Sequence, residues 1–263
     1  MFVVDFDPVA FRVFGWPVRW YGLMYVVGIG LGWWLGRWRA RRHPDRGWTP
    51  VQVDDLAFYT ALGVILGGRI GYMLFYNPFL PPEQASHFWE IWRGGMSFHG
   101  GLAGVLVAMW FFARRYRKRY FEVVDFIAVL APVGLFFGRI GNFINGELWG
   151  KVTDLPWGMI FPGARDGLPR HPSPLYEAAL EGLVLFAILW WFTRRPRPVM
   201  AASGVFALGY AVFRFLVEFV RVPDPQLGYL AWGWVTMGQV LSLPLALAGI
   251  LLIWLAYRRR AAG

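Results

Sequence analysis

The sequence predicts an all-α polytopic membrane protein with about seven transmembrane helices, a small extracytoplasmic arm and a head region. Hydrophobic residues make up 57% of the 263 residues, which is more than a soluble core of this size needs. Apolar runs close to the length that crosses a hydrocarbon core of about 30 Å recur along the whole chain. Basic residues concentrate in alternate loops between these runs, which is typical of a protein threaded repeatedly through a membrane.

Seven apolar runs supply the predicted spans, at about residues 20–36, 56–76, 98–113, 123–138, 175–193, 204–220 and 237–257. Several are shorter than the roughly 20 residues of an ideal span, so we expect polar residues to extend their ends. Around them we predict an N-terminal interfacial arm (1–19), helices one to four (20–142), an extracytoplasmic head segment (143–173), helices five to seven (174–257) and a basic cytoplasmic tail (258–263).

The arm mixes aromatic residues with arginines, and it lacks the positive start and uninterrupted apolar stretch of a cleaved signal peptide. We therefore expect it to stay attached and to lie at the membrane surface. Of the 26 basic residues, 16 fall after the first, third, fifth and seventh spans, and 7, including Arg93, fall in the arm and the other loops. The positive-inside rule then predicts an external N-terminus and a cytoplasmic C-terminus. The same clusters are better explained by topology and anionic lipid than by nucleic acid.

Polar residues in and beside the spans converge on the external face in this topology. Arg69, Arg139 and Arg214 lie toward the outer ends of outgoing spans, whereas Tyr21, His99, Glu177 and Glu181 begin ingoing ones. Asp125, at the cytoplasmic end of the fourth span, is the exception. Ionisable groups within a membrane are costly and usually face a bundle interior or an aqueous cavity. The sequence therefore predicts a functional site in the outer leaflet.

Each of these residues also has a simpler explanation. A single arginine near a span end often only reaches toward the interface. Tyr210, Arg214 and Glu218 are four apart and share a helix face, which suits either an internal salt bridge or an anion site. His99 fits a general base and a structural histidine about equally well. The motif GRIG occurs twice, at residues 68–71 and 138–141, and its glycines also suit close helix packing.

The chemistry that such a site supports is limited by what the sequence lacks. It has no cysteine, so a thiol nucleophile would have to come from a partner. It has no HExxH, Walker or GxSxG motif, and its four histidines are scattered. Arginine forks suit a phosphate diester. These residues indicate an enzyme or a transporter that handles an anionic amphiphile on the extracytoplasmic side.

Sequence blocks from residue 20 to residue 244 resemble, in order, those of the bacterial prolipoprotein diacylglyceryl transferase family. They are RWYGLMYVVG, GGRIGYMLFY, GGMSFHGGLAG, GRIGNFINGELWGKVTDLPWGMIFP, RHPSPLYEAALEG, YAVFRFLVEFVRVPDPQLG and MGQVLSLP. The block around Arg139 is long and specific, whereas GGRIG alone is weak. Pro174 departs from the HPSQLYEA form associated with the family, without removing any of the proposed catalytic groups.

The resemblance implies transfer of the diacylglyceryl group of phosphatidylglycerol to the lipobox cysteine thiol of a prolipoprotein. A thioether forms and glycerol phosphate leaves, in the first step of lipoprotein maturation, with no metal and no cofactor. The partners would be phosphatidylglycerol, a prolipoprotein signal peptide and membrane lipid, with no nucleic acid, and the location would be the bacterial inner membrane.

The resemblance also assigns residues. His99, Arg139 and Arg214 would be catalytic, with Arg139 and Arg214 on the phosphate and His99 as the candidate base. The expected substrate-binding residues are Tyr21, Arg69, Asn142, Glu147, Gly150, Tyr210, Glu218 and Arg221. A transporter of an anionic lipid or solute is the alternative, although no inverted repeat is evident and the charges gather at one face. A purely structural scaffold would not need such a concentration of polar groups.

Overall fold

The computed structural model describes residues 2–79, 87–90, 95–223 and 227–261, without the side chains of Phe98 and residues 259–261. Arg93, counted above among the external basic residues, lies outside the described residues, as do the last two residues of the predicted tail. The long helices are α1 (Trp20–Arg42), α2 (Pro50–Phe75), α3 (Phe98–Arg115), α4 (Tyr120–Ile144), α5 (Ser173–Phe192), α6 (Ala201–Val217) and α7 (Met237–Ala261). Short 3₁₀ turns occupy Pro44–Arg46, Asn77–Phe79 and Pro162–Ala164.

Each predicted span corresponds to one of these helices, so the chain is a mostly helical, polytopic membrane protein. Among the described residues, α2, α4, α5 and the Met237–Arg258 part of α7 are long and apolar enough to cross a membrane, and α6 is a shorter apolar helix. Helices α1 and α3 are not among them: α1 is rich in Trp, Tyr and Gly, and α3 ends in two arginines. The number of crossings therefore stays a prediction.

The helices expose apolar faces of the kind that a bilayer covers. Leu241, Leu247, Leu251 and Trp254 of α7 are all exposed in the isolated chain. Soluble proteins rarely leave such continuous apolar surface in water. The apolar composition of the chain is thus matched by apolar side chains on the outer faces of its helices.

The chain packs into two compact units, and the first of them is Gly36–Val124. Within it, α2 and α3 meet through glycines, because Gly63, Gly67 and Gly71 of α2 face Gly100 and Gly104 of α3. A Cβ at Gly63 would come within 2.6 Å of the carbonyl oxygen of Gly104. This is the small-residue packing by which membrane helices approach each other closely.

The opposite end of this unit is tied by polar and aromatic contacts. Thr49 and Gln52 form a reciprocal capping box at the start of α2, with both hydrogen bonds at 3.2 Å. The Trp48 ring stacks on Phe112 at 5.9 Å, and the Lys118 ammonium lies 4.5 Å from the centre of the Trp48 ring. The Tyr116 hydroxyl donates to Asp55. These contacts join the start of α2 to the end of α3.

The second unit comprises Met1–Leu35 and Asp125–Gly263. Its core contains Val129 of α4, Leu185 and Leu189 of α5, and Ala202 of α6. Helix α5 is α-helical at Ser173–Glu177 and Leu185–Phe192 and π-helical at Ala178–Val184. Such π-helical segments are rare and are frequently found at functional sites.

Asp125 is the one polar residue that the sequence placed away from the outer face, and its contacts give it a structural role. Its carboxylate accepts hydrogen bonds from the Met200 amide at 2.7 Å, the Ser203 amide at 2.8 Å and the Ser203 hydroxyl at 2.6 Å. The first turn of a helix has amide donors with no partner inside the helix. A residue of α4 therefore caps the start of α6.

Short strands lie outside the long helices of this unit. Strand β1 (Phe2–Val3) pairs in parallel with β4 (Met159–Ile160), which pairs in antiparallel fashion with β5 (Pro169–Arg170). Strands β2 (Val9–Val13) and β3 (Trp16–Arg19) form a hairpin that leads directly into α1. The predicted interfacial arm thus contains regular β-structure. The division into arm, helices, head and tail itself stays a prediction, and α4 runs two residues past its predicted boundary.

Candidate active site

A buried carboxylate, that of Glu177 on α5, lies at the centre of the site. The Arg139 Nε atom of α4 is 2.7 Å from Glu177 Oε2, and the Arg214 Nη1 atom of α6 is 3.2 Å from the same oxygen. Arg221 Nε is 3.6 Å from Glu177 Oε1. One carboxylate therefore brings together arginines from two helices and from the segment after α6.

Glu218 is the second carboxylate of this group. Its Oε1 atom is 2.6 Å from Arg214 Nη2 and 3.1 Å from Arg221 Nη1, and its Oε2 atom accepts a 2.6 Å hydrogen bond from the Thr236 hydroxyl. Arg214 and Glu218 are one helical turn apart, as their spacing predicts. Arg214 thus bridges the two carboxylates, and its fork is held from both sides.

Glu181 is the third carboxylate, and it lies in the π-helical segment of α5. Its Oε2 atom lies 3.6 Å from Arg139 Nη2. Both of its oxygens are buried, and no described residue donates a hydrogen bond to them. We call Arg139, Glu177, Glu181, Arg214, Glu218 and Arg221 the ion cluster. The Tyr210 hydroxyl, one turn before Arg214, interacts with Arg139.

The charges of the ion cluster balance, with three arginines against three glutamates. The Glu177 side chain is fully buried, whereas the Arg139 and Arg214 side chains are 19% and 14% exposed. Buried ion pairs recover their desolvation cost only when their geometry is good and further hydrogen bonds satisfy them. The arrangement orients two arginines while leaving part of each accessible, which is what binding an anion requires.

A second group of polar side chains follows Arg139 along α4. The Asn142 amide donates to Glu147 Oε1 at 2.8 Å, and Asn145 donates to the same oxygen at 3.3 Å. The Tyr21 hydroxyl of α1 lies within hydrogen-bond distance of Tyr25, at 3.0 Å, and also interacts with Asn142. The structure thus brings Tyr21, Asn142 and Glu147 together, and we call these three the Asn142 cluster.

Gly150 permits a close backbone approach, although the neighbouring backbone belongs to the protein itself. Its amide donates to the carbonyl oxygen of His171 at 2.8 Å, and it forms a β-bridge with Arg221. A Cβ at Gly150 would meet the Val220 carbonyl oxygen at 2.5 Å. The glycine therefore allows the head segment to pack against the residues that carry Arg221, while its predicted contact with substrate stays untested.

His171 is part of a hydrogen-bonded chain beside this bridge. Trp157 Nε1 donates to the Tyr176 hydroxyl at 2.8 Å, and that hydroxyl lies 3.2 Å from His171 Nδ1. Burial lowers the pKa of His171, and the charge of Lys151 lowers it further. A nitrogen of a neutral imidazole can accept a hydrogen bond from the Tyr176 hydroxyl. Tyr176 directly precedes Glu177, so these two hydrogen bonds help to fix the start of α5.

Arg69 belongs to the other compact unit, and its side chain organises a loop. Its Nε atom donates to the Phe88 carbonyl oxygen at 2.8 Å and its Nη1 atom to that of Gly95 at 3.0 Å. Its Nη2 atom donates to the carbonyl oxygens of His87 and Glu90. The residue is only 1% exposed. This is the geometry of a loop-organising residue, and the predicted contact of Arg69 with substrate is untested.

His99 lies in the same unit as Arg69, as the second residue of α3, and it is exposed. Ser97 caps this helix by accepting a 3.2 Å hydrogen bond from the Gly100 amide, and the Ser97 amide donates to the Gly68 carbonyl oxygen at 2.9 Å. The start of α3 is therefore fixed on α2. The catalytic role of His99 stays a prediction.

The sequence predicted most members of the ion cluster but gave no role to its central carboxylate. Glu177 and Glu181 were placed at the outer face by depth alone, without partners. Two acidic residues four apart at the start of an apolar helix are costly unless they are paired. This energetic cost is the sequence feature that indicates basic partners for the two glutamates, and the arginines of the neighbouring spans are the candidates.

Comparison with known proteins bears on what this site does. The sequence model of the prolipoprotein diacylglyceryl transferase family matches residues 8–255. Three relatives carry the name phosphatidylglycerol–prolipoprotein diacylglyceryl transferase. The protein from Pseudomonas paraeruginosa is 59% identical over 256 residues, covering 97% of this chain and 96% of its own. Those from Nitratidesulfovibrio vulgaris and Azotobacter vinelandii are each 60% identical, covering 97% of this chain and 95% and 96% of their own.

The family match and the relatives cover the helices, the head segment and both polar clusters. They favour a transferase over the transporter and the structural scaffold that the residues alone left open. The ion cluster described above therefore lies in a chain that belongs to the prolipoprotein diacylglyceryl transferase family.

Proposed function

We propose that this chain transfers the diacylglyceryl group of phosphatidylglycerol to the lipobox cysteine of a prolipoprotein, and that the ion cluster is the phosphate site. In this reaction the cysteine sulfur attacks the diacylglyceryl carbon that carries the phosphate oxygen. A carbon–sulfur bond forms, the carbon–oxygen bond breaks, and its electron pair leaves with glycerol phosphate. The observation that carries the proposal is the pair of partly exposed arginines held on Glu177.

Arg139 and Arg214 would stabilise the leaving phosphate. Negative charge grows on the phosphate as the carbon–oxygen bond breaks, so donors already aimed at it favour the transition state. Glu177 and Glu218 hold the two guanidinium groups in place before substrate arrives. Prior orientation of this kind reduces the rearrangement that the reaction requires. Arg221 supports the cluster through the same two carboxylates.

The Asn142 cluster would bind the glycerol head group. Asn142 lies one helical turn beyond Arg139 on α4, and it supplies an amide beside the Glu147 carboxylate and the Tyr21 hydroxyl. Amides, carboxylates and hydroxyls are suitable partners for a polyol. Tyr210 would shape the phosphate site from α6.

The thiol would lose its proton to His99 or in the positive field of the arginines. A free thiol has a pKa of about 8.5 and is mostly protonated at neutral pH, so either mechanism would accelerate attack. His99 is exposed at the start of α3 and therefore accessible to a partner. The chain supplies no competing thiol, because its sequence contains no cysteine.

We also propose seven crossings of the bacterial inner membrane, with the N-terminus outside and the C-terminus in the cytoplasm. The distribution of 16 and 7 basic residues supports this topology. It puts the ion cluster on the extracytoplasmic side. A secreted prolipoprotein presents its cysteine on that side.

A direct assay tests the proposed reaction. Purified protein in detergent is incubated with acyl-labelled phosphatidylglycerol and a lipobox peptide, and with a matched peptide in which serine replaces cysteine. We expect label on the cysteine peptide only, in a bond that resists thioester cleavage, together with one glycerol phosphate per modified peptide. Release of glycerol phosphate and diacylglycerol without peptide modification would indicate hydrolysis of the phospholipase C type instead. No covalent product with either peptide would contradict the proposal.

A further inference from the structure

Two turns in the second compact unit share an unusual construction. The β2–β3 hairpin turns at residues 13–16, Val-Phe-Gly-Trp, and a second turn occupies residues 231–234, Ala-Trp-Gly-Trp. In the first turn φ is 48° at Phe14 and 85° at Gly15, and in the second it is 48° at Trp232 and 69° at Gly233. Tight hairpin turns use positive φ at both central positions, where Asn or Gly is usual. A bulky aromatic residue with positive φ is a genuine outlier.

This backbone geometry projects the aromatic residues outward. Phe14 is 100% exposed and Trp232 is 83% exposed, and Trp16 beside the first tip is 77% exposed. Leu230 and Trp234 beside the second tip are also exposed. We call residues 13–16 and 231–234 the aromatic turns. An outlier conformation that presents large apolar side chains to the surroundings calls for a functional explanation.

Each aromatic turn lies a few residues before the start of a long helix. Helix α1 begins at Trp20, directly after β3, and α7 begins at Met237, three residues after Trp234. The starts of these two helices contact the polar clusters, because Tyr21 of α1 interacts with Asn142, and Thr236, directly before α7, donates to Glu218 at 2.6 Å. The two turns therefore belong to the same end of this unit.

The charges around the aromatic turns suit a lipid surface. Arg12 and Arg19 are exposed on the two strands of the hairpin. The Lys151 ammonium lies over the ring of Tyr229, two residues before the second turn. Aromatic side chains concentrate at the boundary between head groups and acyl chains, and nearby basic residues favour anionic lipid.

We propose that the two aromatic turns insert into the outer leaflet and anchor the active-site end of the protein at head-group depth. The second turn is linked to the ion cluster, because Thr236, two residues after Trp234, donates to Glu218 at 2.6 Å. Insertion of this turn would hold the ion cluster close to the level of lipid phosphates. Such anchoring depends on the exposure and placement of the turns, and it does not require the transferase activity.

Site-directed spin labelling measures the depth of each turn. The absence of native cysteine allows single nitroxide labels at Phe14→Cys, Trp232→Cys and, as a control in the exposed head segment, Arg165→Cys. Each labelled protein is placed in nanodiscs of phosphatidylcholine and phosphatidylglycerol. Collisions with oxygen, which concentrates in the bilayer, are compared with collisions with a water-soluble nickel chelate. We expect a several-fold higher oxygen-to-nickel ratio at both tips than at residue 165.

Labels at Trp16→Cys and Leu230→Cys repeat the measurement beside each tip, in case a tip substitution disturbs its turn. Unchanged thermal unfolding in detergent identifies the variants that fold normally. Ratios at folded tip variants that equal the ratio at residue 165 would overturn the proposal. Protection of the labels from the nickel chelate that appears only after a lipobox peptide is added would also overturn the proposal. That result would assign the aromatic turns to polypeptide binding. Because the readout is depth, it is independent of the transfer assay.

Discussion

At the scale of single residues, Arg139 and Arg214 contact one oxygen of Glu177 from different helices. We expect Arg139→Lys and Arg214→Lys to lower transfer activity by about 10²–10³-fold, as loss of one strong transition-state donor costs about 3–4 kcal/mol. Lysine keeps the charge but loses the planar fork that can contact carboxylate and phosphate together. Turnover of labelled phosphatidylglycerol measures the effect, and Arg12→Lys on the exposed hairpin is the matched control. Wild-type turnover in either variant would restrict that arginine to a structural role.

Glu177→Gln gives the complementary test. The change removes one negative charge from a fully buried position next to three arginines, so we expect both lower thermal stability and lower transfer. Glu122→Gln is the control, because Glu122 also pairs with an arginine, Arg119 at 2.7 Å, but that arginine is largely exposed. If Glu177→Gln had no larger effect than Glu122→Gln, Glu177 could not be what orients the arginines.

His99→Gln separates the two explanations of the histidine. Glutamine can hydrogen-bond but cannot accept a proton at neutral pH. If His99 is the base, single-turnover lipidation should slow while phosphatidylglycerol binding and thermal unfolding change little. His43→Gln, in the 3₁₀ turn region after α1, controls for loss of a histidine in general. Normal single-turnover chemistry in His99→Gln would rule out the base and leave thiol activation to the arginines.

At this scale, the sequence indicates which residues of the site are charged more readily than it indicates their ion-pair partners. The spacing of Tyr210, Arg214 and Glu218 predicted one helix face, and the ion pair at 2.6 Å confirms that contact. Glu177 pairs across helices, and depth in the membrane does not specify which helices are neighbours. Arg69 and Arg139 both lie in a GRIG motif, yet the Arg69 guanidinium donates to the carbonyl oxygens of residues 87, 88 and 95. Only the fold distinguishes these two environments.

At the scale of helices, the α2–α3 contact gives a sharp comparison of two glycines on one helix. A Cβ at Gly104 would overlap the Gly63 carbonyl oxygen, its nearest atom, and would lie 2.9 Å from the Gly67 Cα atom, whereas the closest atom to a Cβ at Gly101 is 3.6 Å away. We expect Gly104→Ala to destabilise the protein by about 1–3 kcal/mol through overpacking. Gly101→Ala should be neutral or slightly stabilising, since alanine is the better helix former. Thermal unfolding in detergent measures both, and equal effects would contradict the packing explanation.

The sequence was informative about helices and much less so about turns. The glycines of the GRIG motifs were expected to suit close helix packing, and Gly71 of the first motif does face Gly100 of α3. The N-terminal arm was expected only to lie at the surface, and its hairpin was not predicted. Phe-Gly and Trp-Gly are not among the usual dipeptides of tight hairpin turns. The π-helical segment of α5 also has no sequence signature that would have revealed it.

At the scale of the whole molecule, the predicted orientation places Arg42 inside and the head segment outside. In intact cells, a cysteine introduced at Arg42 should resist an impermeant maleimide, and one at Arg165 should react. Both side chains are exposed in the structure, so a difference in labelling would report the membrane barrier. Permeabilised cells should label both positions, which confirms that each cysteine is reactive. The reverse pattern in intact cells would invert the topology and move the ion cluster to the cytoplasmic side.

Composition and charge were sufficient to predict a helical membrane protein, since both depend on the whole chain. They do not determine the number of crossings, because α1 and α3 combine apolar residues with many Trp, Tyr, Gly or Arg residues. Such helices can span a membrane when neighbouring helices shield their polar groups. Hydropathy averaged along one helix does not include those neighbours.

The cap that Asp125 provides for α6 has a consequence for biosynthesis. Helix α4, with Asp125 near one end and Arg139 near the other, leaves the ribosome before α6, which carries Arg214. The acceptor for the free amides of Met200 and Ser203 is therefore already available when α6 inserts. Docking of α6 on Asp125 would align it along α4 from one end, while Glu177 of the intervening helix joins the two arginines at the other. The order of synthesis thus matches the order in which the ion cluster can be assembled.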